Sequence, residues 1–157
     1  MIRFAEPRDV DAIVGLVHEL ATYERAPDQV QLTTEQLSTA LFGPSPAAFC
    51  HVADVDGEVV GMALWFVNFS TWLGLHGIYL EDLYVSPSHR RGGLGRALLE
   101  TLARVAVERG YGRLEWAVLD WNEPAIAFYQ SIGAVPQDEW TVHRVSGRAL
   151  HALAGSP

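Results

Sequence analysis

Two carboxylates stand where a strand would otherwise bury apolar side chains. Ile78, Tyr79, Leu80, Leu83, Tyr84 and Val85 form a mostly apolar run, and Glu81 and Asp82 interrupt it. Charges in such a run are costly to bury unless they do something there. Ser86-Pro87-Ser88 ends the strand, since proline donates no ladder hydrogen bond. Arg90-Arg91-Gly92-Gly93-Leu94-Gly95-Arg96 then leads into Ala97-Leu98-Leu99, a helical pattern. Glycines at a strand-to-helix turn let backbone N–H groups approach a ligand closely. The start of a helix adds free N–H groups and a partial positive charge, so that ligand is an anion. Arginines beside those amides fit a phosphate-rich molecule. The alternative, an ordinary glycine-rich connection with surface arginines, does not explain why the motif sits where a strand becomes a helix.

Several chemistries are excluded at once. Every basic residue is arginine, which removes the P-loop, the Schiff base and other lysine-dependent reactions. The turn is not GxGxxG, and no second half-domain is present to hold a dinucleotide. Cys50 is the single cysteine, so there is no intrachain disulfide and no cysteine cluster for zinc. In a strand-like run it reads as a packed thiol rather than a nucleophile. The six histidines are scattered without metal-ligand spacing, and only His89 neighbours the turn; no metal is expected. A net charge of -8 argues against general nucleic-acid binding and is compatible with a cationic substrate. No apolar run reaches about 18 residues, so no membrane span is expected. The opening residues carry no apolar core of a secretory signal, which makes a cytoplasmic location the expectation.

These residues need elements to position them. At 157 residues with about half of them apolar, the chain is expected to be one globular domain over 1–157. Residues 2–5 read as a first strand. Val10, Ile13, Val14, Val17, Leu20 and Ala21 recur at helical spacing. Residues 23–31 form a loop carrying Glu24 and Asp28. Thr33 with Gln36 is a capping box for a second helix. Two strands, 49–55 and 58–69, flank Asp56-Gly57, a hairpin turn signal. Residues 70–77 form a loop holding Trp72. After the strand of Glu81 and Asp82 comes a helix over about 93–109, closed by Gly110. A strand follows over 114–119. Asn122 caps the next helix, with Pro124 in its first turn and Gly133 at its end. A strand through Val142 and Val145 and a short terminal helix from about Ser146 complete the order.

With Trp121-Asn122-Glu123-Pro124-Ala125-Ile126-Ala127-Phe128-Tyr129 in view, the chain resembles the GNAT superfamily of acetyl-CoA-dependent N-acetyltransferases. Their phosphate turn is written [QR]xxGx[GA], and an Asn opens a later helix that carries a Tyr. Within that superfamily the chain is similar to the diamine (spermidine/spermine) acetyltransferases and their thialysine-acetylating relatives. The matching pieces are Tyr23-Glu24, Gln29-Val30, Leu32-Thr33, Trp72, Tyr79-Leu80-Glu81-Asp82, the turn, and the Trp121 to Tyr129 stretch. They follow the family's order over nearly the whole chain. Many relatives carry glycine where Arg91 stands.

The resemblance implies an α/β (α+β) GNAT fold, a mixed, mostly antiparallel central sheet flanked by helices. It implies acetyl transfer to a primary amine of a small cationic molecule by direct attack in a ternary complex. Backbone N–H groups of Arg90, Arg91, Gly92, Gly93, Leu94, Gly95 and Arg96 would bind the CoA pyrophosphate. Leu83, Tyr84 and Val85 would offer N–H groups to the acetyl carbonyl. Asn122 would hold the pantetheine arm, and Tyr129 would protonate the departing thiolate; the plain alternative for Tyr129 is a core aromatic. Glu81 would take the proton from the incoming ammonium. Asp82 would line the acceptor site with Glu81; simple alternation puts it on the opposite strand face, which leaves a packing or dimer-contact role open for one of the two, with Glu81 favoured as the chemical one. Glu24, Asp28 and Trp72 would line a cation site by ion pairing and cation–π contact, or, for the two acids, form a solvated loop face. The family commonly forms homodimers, and residues 140–145 are a candidate edge strand for one. The rival readings are a non-catalytic acyl-CoA-binding module and an acetyltransferase of protein N-termini or an antibiotic. Glu81 and Tyr129 weigh against the first, since a CoA binder needs neither.

Overall fold

Asp56 and Gly57 both hold positive φ, 53° and 89°, which is what a two-residue hairpin turn matching strand twist requires. Around them β2 (Phe49–Val55) and β3 (Glu58–Ser70) pair antiparallel. The structure, a computed structural model, describes residues 1–156. Its five-stranded sheet runs β1-β2-β3-β4-β5, with β1 at Ile2–Phe4, β4 at Leu75–Val85 and β5 at Leu114–Glu115. Every pairing is antiparallel except β4 with β5. The helices are α1 (Val10–Tyr23), α2 (Thr34–Phe42), α3 (Leu94–Glu108), α4 (Glu123–Ser131) and α5 (Gly147–Leu153). The expected mixed, mostly antiparallel sheet flanked by helices is what forms.

Side-chain alternation sorts the sheet's two faces. Met62, Tyr84, Cys50 and Val52 join Val10, Ile13 and Leu16 of α1 and Leu37 and Leu41 of α2 in one core cluster. The alternate residues of β3, Ala63 and Trp65, are fully buried on the other side. There the Arg109 guanidinium, just past α3, lies 5.6 Å from the Trp65 ring. The Trp65 indole N–H donates to Nδ1 of the buried His51 at 3.1 Å. Arg3 ties the start of the chain to this frame, bonding Asp9 at 2.7 and 3.0 Å and Asp54 at 2.9 and 3.1 Å.

Local signals hold where they are self-contained. The Thr33 hydroxyl accepts from Gln36 N–H at 3.1 Å, and Gln36 Oε1 accepts from Thr33 N–H at 3.0 Å. Gly110 and Gly133 take positive φ just past their helices, as left-handed stops do. Three expectations are corrected. The loop over 70–77 is shorter, because β3 continues to Ser70 and β4 begins at Leu75; Gly74 at φ 67° lets the chain reverse in four residues. The strand over 114–119 stops at Glu115, since its pairing with β4 ends there. No strand forms through Val142 and Val145, because a strand exists only by pairing and these residues have no sheet neighbour among the described ones.

The chain divides into two compact units, 1–119 and the remainder from Asp120. The first holds the whole sheet with α1 to α3. The second holds α4 and α5.

Candidate functional site

In the first unit, β4 pairs regularly with β3 from Leu75 opposite Ser70 to Leu80 opposite Trp65, and again from Asp82 opposite Leu64 to Val85 opposite Gly61. Between these runs β3 advances by one residue and β4 by two. Glu81 is therefore the extra residue of a β-bulge, with no partner across the ladder. Strict alternation puts Glu81 and Asp82 on opposite faces, and the bulge overturns it. Asp82 lies opposite Leu64, which packs with the α1 and α2 cluster. Glu81 is exposed, and its charge is felt both by Asp82 and by Tyr79, which pairs with Phe66 on that same face. Both carboxylates thus serve the α1 face.

The consequence is electrostatic. Asp82 is half-buried, and its carboxyl is pushed up to about 6 by burial first, then by the charges of Glu81 and Glu24. Glu24, the residue that ends α1, is itself raised by burial. Two carboxylates whose charges both act on a third favour a bound cation, which would draw Asp82 back to its ionised form. Beyond Tyr79 the parallel partner of β4 is gone. The backbone N–H groups of Leu80 to Val85 that turn away from β3 have no second strand among the described residues, which leaves them facing a ligand.

The arginine–glycine turn follows directly. Pro87–His89 makes one 3-10 turn, and Gly93, at φ 78°, caps α3 without any side-chain hydrogen bond. The first N–H groups of α3 are therefore not taken by a side-chain cap. A Cβ built on Gly93 or Gly95 would meet nothing within 4 Å, so the outer surface of the turn is open. This fits a phosphate-bearing ligand lying against backbone N–H groups. Arg91 is exposed and holds φ 70°, a left-handed conformation that costs a residue with a side chain roughly 1–2 kcal/mol. The Arg90 side chain is also exposed but folds back along the surface. Its Nε donates to the Val85 carbonyl at 2.9 Å, and its guanidinium lies 5.2 Å from the Tyr23 ring and 5.1 Å from the Tyr84 ring. Arg90 fastens the turn to the last turn of α1, next to Glu24. Arg96 pairs with Glu100 along α3 at 2.8 Å.

In the second unit, Asn122 caps α4, its Oδ1 accepting from the Ala125 N–H at 3.4 Å. Tyr129 comes seven residues later, two helical turns on and on the same side as the cap. It is half-buried, with its ring 5.6 Å from that of Phe128.

Asp28 and Trp72 are the other expected acceptor residues. Asp28 is exposed in the 3-10 turn Pro27–Gln29 beyond α1. Trp72 is 84% exposed at the tip between β3 and β4. Leu75, where β4 starts, is six strand positions from Glu81, about 20 Å, so the structure does not bring Trp72 to that pair. The sequence reading also passes over Arg113, Glu115 and Asn68. Their signal was the polar–apolar–polar order Arg113-Leu114-Glu115, which puts both charges on one face of β5.

Residues 13–134 match the family model described as the acetyltransferase (GNAT) family. The chain is 40% identical to a thialysine N-epsilon-acetyltransferase of Bos taurus, covering 99% of this chain and 97% of that protein. It is 32% identical to an L-ornithine N5-acetyltransferase of Arabidopsis thaliana, covering 97% and 86%. Among solved structures, an integron cassette protein from the mobile metagenome of V. cholerae superposes with a TM-score of 0.83 at 29% identity, covering 99% of this chain and 98% of that one.

Proposed function

Because this chain belongs to the acetyltransferase (GNAT) family and is an acetyl-CoA-dependent N-acetyltransferase, we propose that its acceptor is a primary amine on a small cationic molecule. A diamine, a polyamine and a lysine-like compound all fit that description, and attack is direct, with both substrates bound. The observation that carries the reading is the bulge at Glu81, which sets Glu81 beside Asp82, a carboxyl that also feels the charge of Glu24. The names of the thialysine and ornithine enzymes support an amine borne on an amino acid. A spermidine/spermine N(1)-acetyltransferase-like protein of Homo sapiens, 30% identical over 98% of this chain but only 23% of its own length, supports a polyamine.

The roles follow from residue chemistry. Acetyl-CoA supplies an acetyl group already activated as a thioester. Backbone N–H groups of residues 90–96 hold its pyrophosphate, and Asn122 holds its pantetheine arm. N–H groups among Leu83, Tyr84 and Val85 donate to the acetyl carbonyl and steady charge on its oxygen. An amine of pKa about 10 is almost wholly protonated at neutral pH, so Glu81 takes that proton, directly or through a water. Asp82, Glu24 and Asp28 hold the cation. Tyr129 returns a proton to the departing sulfur; a phenol of pKa about 10 and a thiol of about 8.5 are close enough for this. We further propose one working unit over 1–157, a cytoplasmic location and a homodimer. Support for the dimer is the exposed apolar stretch with Val135 at 73%, Trp140 at 68% and Val142 at 80% exposure; light scattering showing only monomer at micromolar concentration would remove it.

The test is an amine panel with acetyl-CoA and free-thiol detection. The expected result is thiol release with small di- and polyamines or diamino acids. Release with none of them, alongside measurable CoA binding, would replace this reading with that of an acyl-CoA-binding module.

A further inference from the structure

We infer that Arg113 and Glu115 form a subsite for the α-carboxylate and α-ammonium of an amino acid whose side-chain amine reaches Glu81 and Asp82. The inference rests on the acetyl-transfer reading above and adds the acceptor's class. Alternation on β3 carries Leu64, Phe66 and Asn68 along the α1 face. Tyr79 pairs with both Phe66 and Glu115, so Glu115 shares that face. Arg113, two residues before Glu115, shares it too: a Cβ added at Gly77, opposite Asn68, would lie 2.7 Å from Asn68 Oδ1 and 3.5 Å from Arg113 Cγ. The Arg113 carbonyl oxygen would lie 2.9 Å from that Cβ as well, so only a glycine fits between Asn68 and Arg113.

The charges are arranged for a zwitterion. Along β4 the acids come first, at Asp82 and Glu81. The Tyr79 phenol is pushed up by burial first and then by the charges of Glu81 and Glu115, so both anions act on it. Glu81 and Glu115 are two positions along a strand and one strand apart, about 8 Å between Cα atoms. That spacing suits the span from the terminal amine to the α-carbon of a lysine-length side chain. Arg113 then adds the positive charge that a diamine site does not need. Its Nε meets Glu115 Oε1 at 3.4 Å, leaving the two Nη groups for a carboxylate. Glu115 also accepts from Asn68 Nδ2 at 3.5 Å, which fixes its orientation. Arg113 and Glu115 are each about two-fifths exposed, so both remain accessible to a small molecule.

The test compares acceptors that differ only in the carboxylate: L-lysine against cadaverine, and L-ornithine against putrescine. The wild type is expected to favour the amino acid of each pair in kcat/KM. Arg113→Gln is expected to erase that preference by raising the amino acid's KM roughly 10- to 100-fold, the worth of one charge-assisted contact, while the diamine is unaffected. Arg113→Lys should restore part of it. The backbone bond from Ile78 N–H to the Arg113 carbonyl survives all these changes, and an unchanged melting temperature checks the fold. A wild type that favours the diamines, or an Arg113→Gln variant with the same acceptor ratio as wild type, would overturn the subsite while leaving amine acetylation standing. A wild type that releases thiol with no amine would instead sink the acetyl-transfer reading, and the subsite with it.

Discussion

Replacing Asp82 with asparagine is expected to stabilise the protein and impair it. The carboxyl sits at about 6 in the fold, against an ordinary value near 3.9 for an unfolded aspartate. A raised carboxyl means that the unfolded chain ionises more easily, so the folded state carries a penalty at neutral pH. Two pKa units correspond to nearly 3 kcal/mol at most. Asp82 is only half-buried and solvent screens part of this, so about 1–2 kcal/mol is the working figure. Asn keeps the shape and drops the charge. Asp82→Asn should therefore melt about 2–6 °C higher at pH 7–8. The gain is full above the folded value of about 6, shrinks as pH falls, and vanishes below about 4, where both states of the wild type are protonated. Thermal unfolding of both proteins from pH 4 to 8 measures it. In the same variant the acceptor KM should rise, with acetyl-CoA affinity unchanged, and the inflection near pH 6 in the wild type's acceptor kcat/KM should disappear. A variant that melts lower than wild type at pH 8 would show that the ionised carboxylate is a structural acceptor, and the repulsion argument would fall.

Gly95→Val should abolish CoA binding by calorimetry while leaving the fold intact, because a Cβ there meets nothing within 4 Å and the position is helical; unchanged affinity would move the cofactor elsewhere. Gly93 makes a poorer probe, since its φ of 78° adds backbone strain to any substitution. Tyr129→Phe should lower kcat about 10²-fold at every pH, whereas the deficit of Glu81→Gln should shrink toward the amine pKa as solvent takes over deprotonation; a pH-independent deficit in Glu81→Gln would make Glu81 an orienting group. His51 is pushed down to about 4 by burial first and then by Arg109, so on acidification the unfolded chain takes the proton first. The stability that wild type holds over a His51→Gln variant should be lost between about pH 6.5 and 4, and a constant difference between the melting curves would refute it.

What was legible in the sequence was local. Thr33 with Gln36, Asp56 with Gly57, and Asn122 with Pro124 and Gly133 each specify their turn or cap within a few residues. The glycine turn and its helix are likewise contiguous. The bulge was not legible, because Leu80-Glu81-Asp82-Leu83 reads equally well as a plain alternating strand; only pairing with Trp65 and Leu64 reveals the extra residue. The contacts of the Arg90 side chain were not legible either, because its partners, Tyr23 and Tyr84, come from an earlier helix and from β4. Val142 and Val145 have strand-like side chains, but a strand also needs a neighbour, and composition does not supply one. Trp72 sat in the right order of motifs, and the length of β4 then carried it about 20 Å away from Glu81.

The bulge also says how this sheet relates to its chemistry. Trp65 and Leu64 are consecutive, and their partners Leu80 and Asp82 would become consecutive if Glu81 were removed. Every other rung would keep its partner. The hairpin is thus complete with one residue fewer, and Glu81 is an insertion that the scaffold tolerates rather than requires. Deleting residue 81 differs in kind from substituting it: the chain shortens by one, the ladder becomes regular, and Asp82 stays opposite Leu64 without its neighbour. The scaffold and the Glu81 carboxylate are separable by a single codon.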